Sequence, residues 1–253
     1  NFLMSKIIAF SGRAGSGKTS SSNFLFGLQM LSICQEDNEG NIIPTLINYF
    51  SQNGKGQLLI PTIDKGEQIF DPSYVTPHNR IWLQENVWPA AKMYYFANKL
   101  KELCILLLGL TYEQCYSEEG KNTLTELWWE NMPYQSPTYE EKKDVKKLLP
   151  PKTGRMTVRE VLQYVGTDIF RKMDYDVWVK AAINQILEEQ SDMAIIGDVR
   201  FPNEVECIQK AGGKVIRFTR NPSPDCKHES ETALDKDNFD WSKFDAVIKN
   251  DGK

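Results

Sequence analysis

Histidine is nearly absent: His78 and His228 are the only two in 253 residues. That is too few for a histidine-rich metal centre and leaves a catalytic His triad improbable. Cysteine is scarce as well. The five cysteines, at 34, 104, 115, 207 and 226, are scattered, odd in number and never in a C-x-x-C spacing. Such usage argues against zinc or a disulfide framework and suits a reducing cytosol. Long apolar runs are missing. The longest candidate, Cys104–Leu110 (CILLLGL), falls far short of the roughly 20 residues that a membrane span needs. Neither sign of charge dominates: 30 Lys and Arg against 34 Asp and Glu give a net charge of −4, so no stable binding to nucleic acid is expected. Asn1–Met4 lacks the basic and apolar segments of a secretory leader, and Met4 reads as the natural start. What these absences leave is a cytoplasmic globular protein, long enough to bury a substantial core.

Against that background one stretch stands out. Residues 6–19, KIIAFSGRAGSGKT, join a short apolar run to Gly12-x-x-x-x-Gly17-Lys18-Thr19, a complete phosphate-binding loop. Its glycines let backbone N–H groups turn inward around an anion; Lys18 reaches the β/γ-phosphates, and the Thr19 hydroxyl suits Mg²⁺. The bland alternative is a glycine-rich turn that holds no ligand. Context favours the loop, because Ile7–Phe10 reads as a buried parallel strand and Ser20–Leu31 as the helix that follows it.

Alternating strands and helices continue along the chain. Residues 33–90 read as an insertion with one or two hairpins, marked by turn signals at Asn38-Glu39-Gly40, Asn53-Gly54 and Asp64-Lys65-Gly66 and by β-like runs such as Gln57–Ile60. The insertion also offers a homodimer surface. Lys92–Phe96 reads as a strand and Lys99–Leu108 as a helix. Residues 111–150, polar and carrying Trp128 and Trp129, read as a mobile lid or helical excursion; a surface loop anchored by buried tryptophans is the other reading. Thr157 and Glu160 outline a capping box before a helix over Val158–Lys172, and Asp174 or Asp176 caps another over Val177–Gln190. Met193–Gly197 is a second buried strand, followed by a helix over Asn203–Ala211 and strands at Lys214–Thr219 and Asp245–Ile248. The pattern predicts one α/β domain of the P-loop NTPase type. Its doubly wound parallel sheet would bind ligands at the strands' C-terminal ends.

Asp198 stands where a P-loop protein places the strand-end carboxylate that holds Mg²⁺. Strand periodicity sends Arg200 to the same side, and Glu204 falls in the first turn of the next helix. Arg200 can fork onto phosphoryl oxygens; a buried Arg200–Glu204 salt bridge is the plainer reading. Arg159, Arg171, Arg217 and Arg220 lie near segments expected at the same sheet edge. Phosphoryl transfer needs little covalent help, only positive charge around the moving group and exclusion of water, and several arginines with a lid match that need. Gly166-Thr167-Asp168 in mid-helix points to a kink or a close approach, since Gly there costs ~1 kcal/mol.

Four stretches together resemble the deoxynucleoside monophosphate kinases of tailed bacteriophages, within the adenylate-kinase-like P-loop group. They are FSGRAGSGKT (10–19), YYFANKLKELCILLLGLTYEQCY (94–116), MTVREVLQYVGTDIFRKM with Trp178 nearby (156–178), and IIGDVRFPNEVECIQKAGGKVIRFTRN (195–221). HESETALD (228–235) and DAVIKNDG (245–252) add weaker support. The resemblance implies transfer of the ATP γ-phosphate to a deoxynucleoside 5′-monophosphate, for dNTP supply in phage DNA replication within a host cytoplasm. It implies ATP at Gly12, Arg13, Ala14, Gly15, Ser16, Gly17, Lys18, Thr19, Ser20 and Arg220, with Mg²⁺ at Thr19 and Asp198. The monophosphate falls to Leu100, Lys101, Arg159, Gly166, Thr167, Trp178, Asp198, Arg200 and Glu204; Lys18, Asp198, Arg200 and Arg171 carry the transfer. Asn98-Lys99 departs from the family pattern, which has a small acidic residue or glycine and then proline there. Relatives also carry a helix past the point where this chain stops. A kinase of another small phosphorylated acceptor, or a P-loop ATPase or switch module, are the rival readings.

Overall fold

Strand β1 (Lys6–Ser11) lies at the centre of a five-stranded sheet in a computed structural model. The structure describes residues 5–32, 83–85, 87–133, 135, 150–221 and 229–250. It also describes short strand segments at 35–36, 42–43, 51–52, 58–62, 66–69, 139–142 and 145–148. Two compact units emerge: Asn1–Phe96 with Val179–Lys253, and Ala97–Trp178.

In the first unit β1 pairs with β5 (Met193–Val199) on one side and β6 (Lys214–Phe218) on the other; β2 (Ala91–Tyr94) and β7 (Ala246–Ile248) complete the order β7-β6-β1-β5-β2, every pairing parallel. Parallel strands buried on both faces read as continuous apolar runs rather than as alternation; Ile7, Ala9 and Phe10 of β1 and Ala194, Ile195 and Ile196 of β5 are buried. Helix α1 (Lys18–Ser32) brings Phe26 into a core with Phe10, Leu83, Val87, Met93, Ile195 and Phe218. Near the C-terminal end of β5 the ladder slips: Ala9 faces Ile196 while Ser11 faces Val199. One residue of β1, Phe10, thus opposes two of β5, a bulge at Gly197 and Asp198 that re-aims the strand's last side chains.

The second unit opens with α2 (Phe96–Leu108), begun by the buried Phe96 that closes the first. Two short capped helices follow, α3 (Tyr112–Tyr116) and α4 (Glu118–Lys121). The antiparallel pair β3 (Leu124–Trp128) and β4 (Arg155–Thr157) leads into α5 (Val158–Gln163). Thr157 and Glu160 form the expected capping box, Thr157 Oγ1 accepting from the Glu160 N–H and Glu160 from the Thr157 N–H. Past Gln163 the helix widens into a π-helical run over Tyr164–Phe170, then closes as α6 (Arg171–Met173). Trp129, Met156, Val158, Val161 and Tyr164 share the core of this unit with Cys104 and Cys115. Helix α7 (Val177–Glu189) starts at the unit boundary and α8 (Pro202–Lys210) lies between β5 and β6.

One expectation changes. The second strand ends at Tyr94, and α2 begins at Phe96 rather than Lys99, because Phe96 turns into the core as a helical residue. Lys101 therefore lies in the second turn of α2, away from the N–H groups of the helix start. Residues 111–133 hold two short helices, a strand and a 3₁₀ turn, in keeping with the helical excursion. Trp129 is buried there and Trp128 is half exposed. In the 33–90 stretch Gln35–Glu36 pairs with Ile42–Ile43, and Leu58–Thr62 pairs with both Ser51–Gln52 and Gly66–Ile69, all antiparallel. Each expected turn falls between two such partners. Most of the turn residues, and most of the proposed dimer surface, lie outside the described residues.

Candidate functional site

The loop from Gly12 to Gly17 leaves the C-terminal end of β1 and enters the N-terminus of α1, where backbone N–H groups lack intrahelical partners and the helix dipole favours an anion. The loop closes on itself through Ser16 N–H to Arg13 O, 3.1 Å. Gly17 has φ +99°, a conformation that side-chain-bearing residues rarely adopt. Asn250 seals the same point: its Nδ2 donates to Ser16 O at 2.8 Å, and a Cβ on Gly17 would stand 2.7 Å from that nitrogen. Among the described residues the buried Ser16 hydroxyl has no hydrogen-bond partner.

Lys18 is buried at the start of α1 and its Nζ donates to Arg13 O at 3.2 Å. Burial and the nearby Arg200 push its ammonium below the ordinary lysine range, while Glu231 and Asp198 oppose them. Lys18, Asp198, Arg200 and Arg217 thus share one neighbourhood, built from α1, the bulged end of β5, and β6. Thr19 and Ser20 are exposed just beyond. Arg220 is exposed past the end of β6.

Two carboxylates that the sequence did not single out organise this neighbourhood. Glu231 accepts from the Ala14 N–H at 2.6 Å and forms an ion pair with Arg200. Burial pushes the Glu231 carboxyl up, but the Ala14 N–H and Arg200 more than offset it and hold the group below the usual carboxylate range. Four residues later, past the end of the short helix Glu229–Thr232, Asp235 pairs with Arg13 and, at 3.2 Å, with Arg217. Arg217 is buried, donates to Ser11 Oγ at 3.0 Å, and lies 5.3 Å from the Trp241 ring. Glu204, also buried, is held through its Oε2, which accepts from the N–H groups of Arg200 (2.7 Å) and Phe201 (3.0 Å) at the start of α8. The guanidinium of Arg200 turns to Glu231 instead.

The loop's chemistry fits a polyphosphate, since the Ala14 N–H and Arg200 already hold a carboxylate oxygen. Thr19 and Asp198 offer the hard hydroxyl and carboxylate oxygens that suit Mg²⁺. Among the described residues no three His, Cys, Asp or Glu side chains cluster as a metal site of their own.

The remaining expected residues lie in the second unit. Gly166 sits inside the π-helical run, and a Cβ there would meet Leu100 Cδ2 at 2.7 Å. Of the expected kink or close approach, the close approach is present, within a run that departs from α-helix. Trp178 is buried, gives its indole N–H to Gly166 O at 3.0 Å, and lies against Phe170. Thr167 follows Gly166 in the same run, exposed. Lys101 lies over the Tyr116 ring at 4.0 Å. Arg159 is half exposed and bonds Glu118 at 2.7 Å; Lys121 and Arg159 together hold the Glu118 carboxyl down to about 2. Arg171 begins α6.

Comparison with known proteins points one way. A protein of Escherichia phage T5 named deoxynucleoside-5′-monophosphate kinase is 28% identical over 148 residues, covering 47% of this chain and 59% of that protein. A protein of Acanthamoeba polyphaga mimivirus, provisionally named a deoxynucleotide monophosphate kinase, is 27% identical over 156 residues, covering 55% of this chain and 66% of its own. Less than two thirds of either relative is spanned. The deoxynucleotide monophosphate kinase family pattern matches residues 99–253, which takes in α2, the π-helical run, the bulged strand and the Glu231–Asp235 segment. With that pattern running over more than half of its length, the chain belongs to the deoxynucleotide monophosphate kinase family.

Proposed function

We propose that the chain transfers the γ-phosphate of ATP to a deoxynucleoside 5′-monophosphate. The observation that carries this is the convergence of the phosphate loop with Lys18, Arg200 and Asp198 at the end of a parallel sheet. Gly12 to Ser20 would take the donor phosphates, backbone N–H groups and Lys18 meeting their oxygens. Thr19 and Asp198 would hold Mg²⁺, which when bound neutralises phosphate charge. Lys18 and Arg200 would stabilise the charge spread over the transferring group, and their fixed placement lowers the reorganisation needed at the moment of transfer. Arg171 and Arg220 are candidates for the same task.

In this reading Leu100, Lys101, Arg159, Gly166, Thr167 and Trp178 of the second unit are candidates for binding the acceptor. The buried Trp178 indole is already engaged with Gly166 O, so its part is to shape the wall. The phage T5 and mimivirus relatives carry names of this activity, and a viral chain would act in its host's cytoplasm. The whole chain reads as one kinase, residues 111–150 acting as lid.

ADP release coupled to ATP and Mg²⁺ tests the proposal, run against dAMP, dGMP, dCMP, dTMP, the ribonucleotides and a control without acceptor. Turnover with one or more deoxynucleotides and little without them is expected. ADP release independent of acceptor would replace the kinase by an ATPase module. Silence across the panel would move the acceptor to another phosphorylated small molecule.

A further inference from the structure

Glu231 is seated where a phosphate would be. Its carboxylate accepts from the Ala14 N–H of the phosphate loop at 2.6 Å and pairs with the Arg200 guanidinium. A backbone N–H at a helix N-terminus and a guanidinium are also the donors that a phosphoryl oxygen takes. Its side chain is only 11% exposed, and it lies near enough to Lys18 to counter the effect of burial on that ammonium. The neighbouring Ser16 hydroxyl, buried and without a partner among the described residues, marks further polar capacity in the same loop.

Resting on the reading of this loop as a triphosphate site, we propose that Glu231 is a placeholder: its carboxylate fills the phosphate cradle before nucleotide arrives, keeps Ala14 and Arg200 aimed at an anion, and yields both donors to the incoming triphosphate. Two charges of like sign cannot share those donors at hydrogen-bond distance, and a polyphosphate carries more charge than one carboxylate. The cradle is therefore assembled in advance, since Arg200, Ala14 and Lys18 are ordered around a charge of the correct sign. The placeholder strengthens the empty chain and weakens the apparent affinity for nucleotide. Asp235, four residues further on, keeps Arg13 and Arg217 in place, so the exchange is confined to Glu231. In this role Glu231 is a positioning residue, acting through Arg200 and the loop.

The test uses the full chain as wild type, E231Q and E231A, with ATP, inorganic tripolyphosphate and adenosine as titrants in calorimetry. Both variants should bind ATP and tripolyphosphate at least tenfold more tightly than wild type and leave adenosine unchanged, the gain falling in KM for ATP during turnover. Without nucleotide both should melt below wild type, and at saturating ATP the three melting curves should converge. That convergence separates a placeholder from a merely structural residue, whose loss would lower both curves. Equal affinity for ATP and tripolyphosphate across the three chains would overturn the proposal. So would a fall in kcat without any gain in affinity, which would mean that Glu231 stays beside Arg200 throughout. If wild type binds neither ATP nor tripolyphosphate, the triphosphate reading itself fails and this proposal falls with it.

Discussion

Replacing Asp235 by alanine should destabilise the chain by about 3 kcal/mol, a value that follows from what it leaves behind. Arg217 is 4% exposed, and its charge is met by Asp235 at 3.2 Å and by the neutral hydroxyl of Ser11 at 3.0 Å; its Nε is buried without a hydrogen-bond partner among the described residues. Burial already works against that guanidinium, and Asp235 is the main charge opposing it. Removing one partner of a buried pair costs about 3–5 kcal/mol, because the other charge stays desolvated. The Asp235 side chain is 23% exposed, so water reaches part of the gap and the lower end applies. At about 2–4 °C per kcal/mol for a chain of this size, melting should fall by about 6–12 °C. Urea unfolding followed by tryptophan fluorescence is the assay, with Trp241, 5.3 Å from the Arg217 guanidinium carbon, reporting close to the lesion. Combining Asp235→Ala with Arg217→Met removes one of the two stranded charges, Arg13 keeping the other, and should recover about half of the loss. A single-variant loss below about 1 kcal/mol, or a double variant as unstable as the two singles summed, would refute the reasoning.

Lys18→Ala should abolish ADP release while urea unfolding stays cooperative, because the substitution deletes a buried charge rather than stranding one; retained turnover would remove Lys18 from the chemistry. Gly166→Ala should cost about 1–3 kcal/mol through the 2.7 Å approach of its Cβ to Leu100 Cδ2. Pairing it with Leu100→Ala should cost less than the two singles added, and strict additivity in urea unfolding would count against that contact. Burial pushes the Cys104 thiol up to about 11 and lifts Tyr94 above the ordinary tyrosine range. Above about pH 9 the unfolded chain therefore loses these protons first, and stability present below that pH declines toward pH 11. Unfolding free energies at pH 8, 9 and 10 should show the decline, smaller in Cys104→Ala, and a flat profile would contradict it.

Much of the first unit was legible because local signals agreed with the tertiary outcome. The apolar runs of β1 and β5 are buried on both faces, and a complete phosphate-loop motif leaves few alternatives for the turn between β1 and α1. Gly166 was legible through its cost: a glycine in mid-helix called for a reason, and the Leu100 approach and the π-helical run supply one. The carboxylates were not legible. Nothing in the local pattern of Glu231 or Asp235 tells that a segment more than 200 residues downstream folds onto Ala14 and Arg13. Long-range ion pairs have no sequence period. Arg200 and Glu204 were correctly placed side by side, but their bonding differs from the plainer salt-bridge reading. A glutamate at the third position of a helix is drawn to the free N–H groups before it, and this leaves the arginine for Glu231. The start of α2 was read late because Phe96, apolar and next to a strand, continues a β-like run until its burial inside a helix is known.

The bulge at Gly197 and Asp198 gives the chain an odd sensitivity to length. A residue removed from a surface loop is absorbed by the backbone on either side. A residue removed here would restore even pairing with β1, leave Val199 opposite Ser11, and abolish the bulge that re-aims the strand's last side chains. With Gly197 gone, Asp198 would take the regular place opposite Phe10, though no side chain had been substituted. The count of residues between Ile196 and Val199, as much as their identity, fixes which groups look toward Lys18.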